Sequence, residues 1–299
     1  ILRVPIKKNQ KKLNLYEQSV VIHELVHSLQ GQHFATDEWY EEMDNLDDFT
    51  YYYGFVALME AQADYVEGKY LLGFDTYDRQ DYISQIPNIQ CRVSLPSYFY
   101  IPAELYYEFG PILADEILKN GKMEALNNAL FGYINNGLNT LPTSEQIYDP
   151  ARFFIDERYE ELTSKTIELD NYILIDEGSF GALDLVYLMQ DKIGQTNAIN
   201  AAVGIGGGNW KDYEDSSGNL LMTLKLTGDN KDELQEIYEA FILWGNAQSR
   251  FSSSESYLNG SLFKGSTNFW IYNDQSFIRI VLSQDLDLLN SISNQLNEF

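Results

Sequence analysis

Cysteine is nearly absent from this 299-residue chain: Cys91 is the only one, which excludes an internal disulfide and any cysteine-built zinc site. A lone cysteine of this kind reads as a small, partly buried side chain rather than a reactive thiol. Basic residues are also scarce, 20 Lys and Arg against 45 Asp and Glu, giving a net charge of −25. Phosphate backbones are bound by clustered Lys and Arg, so a nucleic-acid partner is not expected. No apolar run approaches the roughly 18 residues needed to cross a bilayer, so no transmembrane segment is expected. Phosphate-binding loops are missing too, since the glycine-rich GIGGGNW (204–210) has neither the Lys-Ser/Thr of a P-loop nor G-x-G-x-x-G spacing. It reads as a tight turn leading into a strand.

Histidine is scarce as well, and its placement is informative. The three histidines, His23, His27 and His33, fall within eleven residues of one another. His23-Glu24-Leu25-Val26-His27 has the H-E-x-x-H form, in which two histidines one helical turn apart point the same way and can grip one zinc ion. Glu24 then sits where it can act as general base toward water. Asn14 and Glu17 have capping-box spacing, and Ile22, Leu25, Val26 and Leu29 form an apolar stripe, so a helix is expected from about 14 to 31 with Gly31 as its stop.

A catalytic zinc normally takes three protein ligands and leaves one position open. Two candidates compete for the third place. His33 has the six-residue offset of H-E-x-x-H-x-x-G-x-x-H, but that pattern needs glycine where Gln30 stands, and the glycine comes one residue later. Glu60 lies in a second expected helix, 52–72, where Glu60, Asp64 and Glu67 recur on one face of an otherwise fairly apolar stretch. An inward-facing acid is costly unless paired or bound to a metal. Glu60 as ligand, with Asp64 one turn on holding a histidine N–H, meets that cost and is preferred; His33 stays as the alternative ligand.

Further helices are expected at 103–119, 121–133, 144–162 and 177–193, broken by Gly110-Pro111, Asn135-Asn136-Gly137 and Pro142. From about residue 195 the pattern changes to β-β-α-β-β-α, with strands in WKDYED, LLMTLKL, FWIYN and FIRIVLS and helices at 230–247 and 284–297. The fold class expected is α+β: a mainly helical metal-binding part over 1–195 and a smaller α+β module over 196–299. Residues 1–8, restricted by Pro5, read as a sheet edge that could take a peptide strand by strand addition. The acidic DEWYEEMDNLDD (37–48) lacks the ligand spacing of a calcium loop and reads as solvated.

His23, His27 and Glu60 with Asp64 resemble the constellation of gluzincins, the thermolysin-like zinc peptidases. More specifically, the chain is similar over most of its length to a poorly characterised prokaryotic family of metallopeptidase-like proteins. The resemblance rests on HELVHSLQGQHF (23–34), ALMEAQADYVE (57–67), YYEFGPILADEIL (106–118), LPTSEQIYDPARF (141–153), AAVGIGGGNWKDYE (201–214) and FIRIVLSQDLDLLNSISNQL (277–296), in that order. The chain departs from it in Ala61 and Gln62, where the family has glycine and aspartate, and in Asp149, where it has histidine.

The resemblance implies a zincin-like catalytic part that hydrolyses peptide or protein substrates with zinc as cofactor. Related enzymes stabilise the oxyanion with histidine or tyrosine. With no histidine to spare, one of the 22 tyrosines is expected, Tyr148 being one candidate. The rival class is an inactive, peptidase-derived surface protein whose zinc is structural or lost. A start at Ile1 without methionine and the acidic composition point to an extracellular or cell-envelope setting, with the cytoplasm as alternative. Asn259-Gly260-Ser261 is a glycosylation sequon. Nothing in the chain sets an oligomeric state.

Overall fold

The capping box forms as read: Asn14 N–H donates to Glu17 Oε2 and Glu17 N–H to Asn14 Oδ1, both at 2.8 Å. It starts helix α1 (Leu15–Phe34) of a computed structural model that describes residues 12–34, 51–74, 79–86, 99–155, 157, 159–169, 171–292 and 295. The expected peptide-docking edge at 1–8, the acidic loop at 37–48 and Cys91 lie outside the described residues. Among the described residues no helix is long and apolar enough to cross a membrane.

Two units make up the chain, residues 1–46 with 51–142, and 47–50 with 143–299. In the first, α1 packs on α2 (Tyr52–Leu72), which is joined by α3 (Arg79–Gln85), α4 (Ile101–Glu104), a π-helical turn (Leu105–Phe109), α5 (Gly110–Phe131) and α6 (Tyr133–Asn136). Gly110-Pro111 does not break this run. The chain passes through the π turn into α5, and the real kink is at Gly121-Lys122, where Lys122 has φ 59°. Gly110 permits the close approach of α5 to α2, since a Cβ there would lie 2.8 Å from the Ala57 carbonyl oxygen.

Helix α1 also differs from expectation. It runs through Gly31 to Phe34, and Leu25 and Leu29 are exposed. Val26 of the expected stripe is buried, but the rest of the inward line is polar, Ser19, His23 and Gln30 at helical spacing. On α2, Phe55 and Met59 are buried.

The second unit begins earlier than residue 196, because α7 (Ser144–Tyr148), α8 (Pro150–Phe154), β1 (Tyr172–Ser179), α9 (Ala182–Ile193) and α10 (Gln195–Ala202) all belong to it. The expected helices at 144–162 and 177–193 are therefore α7 plus α8, and α9 preceded by a strand. The remaining elements are β2 (Ile205–Asp215), β3 (Leu220–Gly228), α11 (Lys231–Ala247), β4 (Phe251–Tyr257), β5 (Gly260–Gly265), β6 (Asn268–Asn273), β7 (Ile278–Ser283) and α12 (Leu286–Ser291). The glycine run is the start of β2 itself.

The seven strands form one antiparallel sheet in the order β1-β2-β3-β7-β6-β5-β4. The class is α+β, with a β4–β5 hairpin and β1 beyond the four strands expected. Side chains alternate across the sheet. Tyr213, Leu221, Trp270 and Val281 point to one core with Leu289 and Ile292, while Leu224, Phe269 and Ile280 face α11 through Phe241 and Trp244.

Candidate metal centre

His23 and His27 leave α1 one turn apart, and Glu60 meets them from α2. His23 Nε2 lies 3.1 Å from His27 Nε2 and 3.1 Å from Glu60 Oε2, and His27 Nε2 lies 3.5 Å from the same oxygen. The other nitrogen of each ring is already committed. His23 Nδ1 faces Asp64 Oδ1 at 3.1 Å and Glu67 Oε2 at 3.4 Å. Carboxylates only accept, so Nδ1 carries the proton. His27 Nδ1 donates to Gln30 Oε1 at 2.8 Å. That direction is fixed because the Gln30 amide nitrogen donates in turn to Met59 O and to Gln62 Oε1, and Gln62 passes the chain to Asn127 Oδ1.

With both Nδ1 atoms acting as donors, each neutral ring turns an Nε2 lone pair toward the other and toward a carboxylate. Three acceptors so placed repel unless a cation lies between them. Tetrahedral zinc with bonds of about 2.0–2.1 Å sets its ligand atoms about 3.3 Å apart, and the observed edges are 3.1, 3.1 and 3.5 Å. The donor set and its spacing fit zinc.

Electrostatics tell the same story from the proton's side. Hydrogen bonds to Asp64, then Glu60 and Glu67, push His23 up to about 11. Burial pulls His27 down, but Glu60 and Gln30 more than offset it and its net shift is upward. Burial works against ionised Glu60, yet the two histidines hold it down at about 2. A proton thus takes the place of a metal when none is bound. Glu67 is held low by His23, Ser19 and Tyr82 despite its burial. Tyr82, from α3, donates to Glu67 at 3.1 Å and contacts Ser19 Oγ at 2.9 Å.

His33 is not brought to this cluster. It is exposed in the last turn of α1, with its ring 6.3 Å from that of Phe34. Gln30, which stands where the glycine of the longer histidine pattern would be, orients His27 instead of turning the chain. Glu24 is half-buried beside His23.

No family model, curated protein or solved structure matches the chain. The site must be read from its own chemistry.

Tyrosine 107 is the residue that sequence reasoning missed. It lies on the π turn, with its hydroxyl interacting with the Glu60 carboxylate. Tyr107 is half exposed, and partial desolvation, then the charges of Glu60, Asp64 and Glu24, push it up to about 12, so it is a donor at neutral pH. Single π turns are frequent at functional sites, but nothing in LYYEF marks one in advance. Tyr148 belongs to α7 of the second unit.

A second gathering of acids, Glu145, Glu157 and Asp229, lies in that unit and already has its cation. Arg152 Nη1 bonds Asp229, reaches Glu157 at 2.6 Å and Glu145 at 3.5 Å, and Nη2 bonds Glu233. Burial, then the charge of Asp229, drives Glu145 up to about 10, while burial and Glu157 drive Asp229 up to about 6. The T-S-E-Q segment is thus a structural knot. Thr143 and Gln146 form the capping box of α7, Ser144 Oγ accepts from Leu183 N–H, and Asp149 caps α8 through Ala151 N–H.

Proposed function

We propose that the first unit is a zinc-dependent peptidase centre held by His23, His27 and Glu60. The observation that carries this reading is the triangle of three candidate ligand atoms, in which both histidines engage Nδ1 elsewhere and turn Nε2 toward Glu60. His23, His27 and Glu60 would hold the zinc, which when bound would supply Lewis-acid polarisation of a water and of a scissile carbonyl. Glu24 accepts the proton of the attacking water and returns it to the leaving amine nitrogen. Tyr107 donates its hydroxyl to the carbonyl oxygen as that oxygen gains charge. Asp64, Glu67 and Gln30 hold the two rings in place.

Peptide as substrate follows from the H-E-x-x-H arrangement and from the gluzincin resemblance. The rival reading, a closed structural site in a non-catalytic surface protein, calls for a fourth protein ligand. The three groups that converge on the triangle, His23, His27 and Glu60, are the number of protein ligands that a catalytic zinc site uses. The test is Glu24→Gln. It should retain zinc while casein cleavage falls by about 10²-fold or more. Equal cleavage by variant and parent would remove Glu24 from its role.

A further inference from the structure

Between the sheet and helices α9 and α11 of the second unit lies a pocket of about 520 Å³. That volume is in the range of about 300–1,000 Å³ usual for small-molecule sites. Its walls are apolar and aromatic, with Trp210, Met222, Leu282 and Phe269 supplied by β2, β3, β7 and β6, four strands adjacent in the sheet. Trp244 of α11 closes one side.

The polar groups of the lining are sorted to its ends. Arg250 stands in the turn between α11 and β4, past the β6 end of the pocket floor, its guanidinium 5.2 Å from the Trp244 ring and 5.1 Å from the Phe251 ring. No acid pairs with it among the described residues, although acids outnumber bases by 45 to 20. Asp212 stands on β2 at the opposite end, with no hydrogen-bond or ion-pair partner among the described residues. Its closest electrostatic neighbour is another acid, Asp176, directly across the β1–β2 ladder. Asp184 lines the pocket too, but its carboxylate accepts from Gly181 N–H at 2.8 Å.

Unpaired charges of opposite sign at the two ends of an apolar cleft define a ligand. The apolar floor between them, from β2 to β6, has three interstrand steps of about 4.8 Å, roughly 14 Å in all. An extended peptide covers at most about 3.3–3.6 Å per residue, so four residues fill that span. We propose that this pocket binds a short apolar peptide with free ends, its carboxylate on Arg250 and its ammonium on Asp212. A fatty acid would satisfy Arg250 and leave Asp212 facing hydrocarbon; a neutral apolar ligand would leave both unpaired. The inference does not rest on the peptidase reading, because neither the pocket nor its charges involve the metal centre.

The experiment is calorimetric titration of the full chain carrying Glu24→Gln with the tetrapeptide ALFL in four forms: free, C-terminally amidated, N-acetylated and doubly capped. Fluorescence of Trp210 and Trp244, both in the pocket wall, is read in parallel. Saturable binding of the free peptide is expected, weakened at least tenfold by either cap, by Arg250→Gln and by Asp212→Asn. Equal affinity for all four peptides, or no saturation at millimolar concentration, overturns the proposal. Loss on amidation but not on acetylation overturns its two-ended form. Should either variant fail to fold, the capped peptides still decide the question on the unaltered pocket.

Discussion

Replacing Asp64 by Asn should change how zinc uptake depends on pH. Asp64 contributes the largest of the three carboxylate interactions that push His23 up to about 11 in the metal-free protein. Metal needs the His23 Nε2 lone pair, so at neutral pH binding must expel a proton. Each proton expelled makes affinity rise about tenfold per pH unit, equivalent to about 1.4 kcal/mol. A raised pKa places this competition below about pH 11, so the parent's log affinity should climb by about one per unit or more from pH 6 to 9.

Asparagine keeps an oxygen for Nδ1–H but removes the charge, so His23 gives up its proton at lower pH and the climb flattens. Against this, losing an orienting carboxylate costs about 10–100-fold in affinity. The parent's advantage should therefore be small near pH 6 and grow with pH. Competition against a chromophoric zinc chelator at several pH values measures both lines. Parallel lines for parent and Asp64→Asn would refute the reasoning.

Tyr107→Phe should keep zinc and KM but lower kcat by about 10²–10³-fold if the hydroxyl acts on the transition state; an unchanged kcat removes it. Gln30→Ala breaks the relay from His27 through Gln62 to Asn127 and should weaken zinc by about 10–100-fold, read by the same chelator competition. Unchanged affinity would mean that His27 needs no orientation. Glu145, buried and raised to about 10, holds its proton in the folded chain between the ordinary carboxylate range and about pH 10. Stability should therefore fall as pH rises through that window, by at most about 1.4 kcal/mol per unit. Glu145→Gln should flatten the fall, as followed by thermal denaturation from pH 5 to 10; an unchanged slope would contradict it.

The proposed metal centre was legible because its candidate ligands obey helix geometry. H-E-x-x-H and the Glu60, Asp64, Glu67 spacing each put chemistry on one face, and the capping box fixed where α1 begins. The same centre spoiled the hydrophobic reading of α1, since the face turned toward α2 carries His23 and Gln30 while Leu25 and Leu29 stay exposed. Tyr107 was invisible because its position depends on a π turn, which has no sequence period. In the sheet, four of the five interior strands, β2, β3, β6 and β7, were readable in the sequence. The short interior strand β5 and both edge strands were missed. β1 and β4 are largely exposed along their length, so neither shows the alternation that marks a strand.

The claim beneath all of this is that His23, His27 and Glu60 share one metal ion. Metal content after equilibration with zinc and removal of excess tests it most directly, on the parent, Glu60→Gln and His33→Ala. The account predicts one tightly held zinc per parent chain, the same for His33→Ala and a large loss for Glu60→Gln. Zinc retained by Glu60→Gln but lost from His33→Ala, or no zinc on the parent, would contradict it.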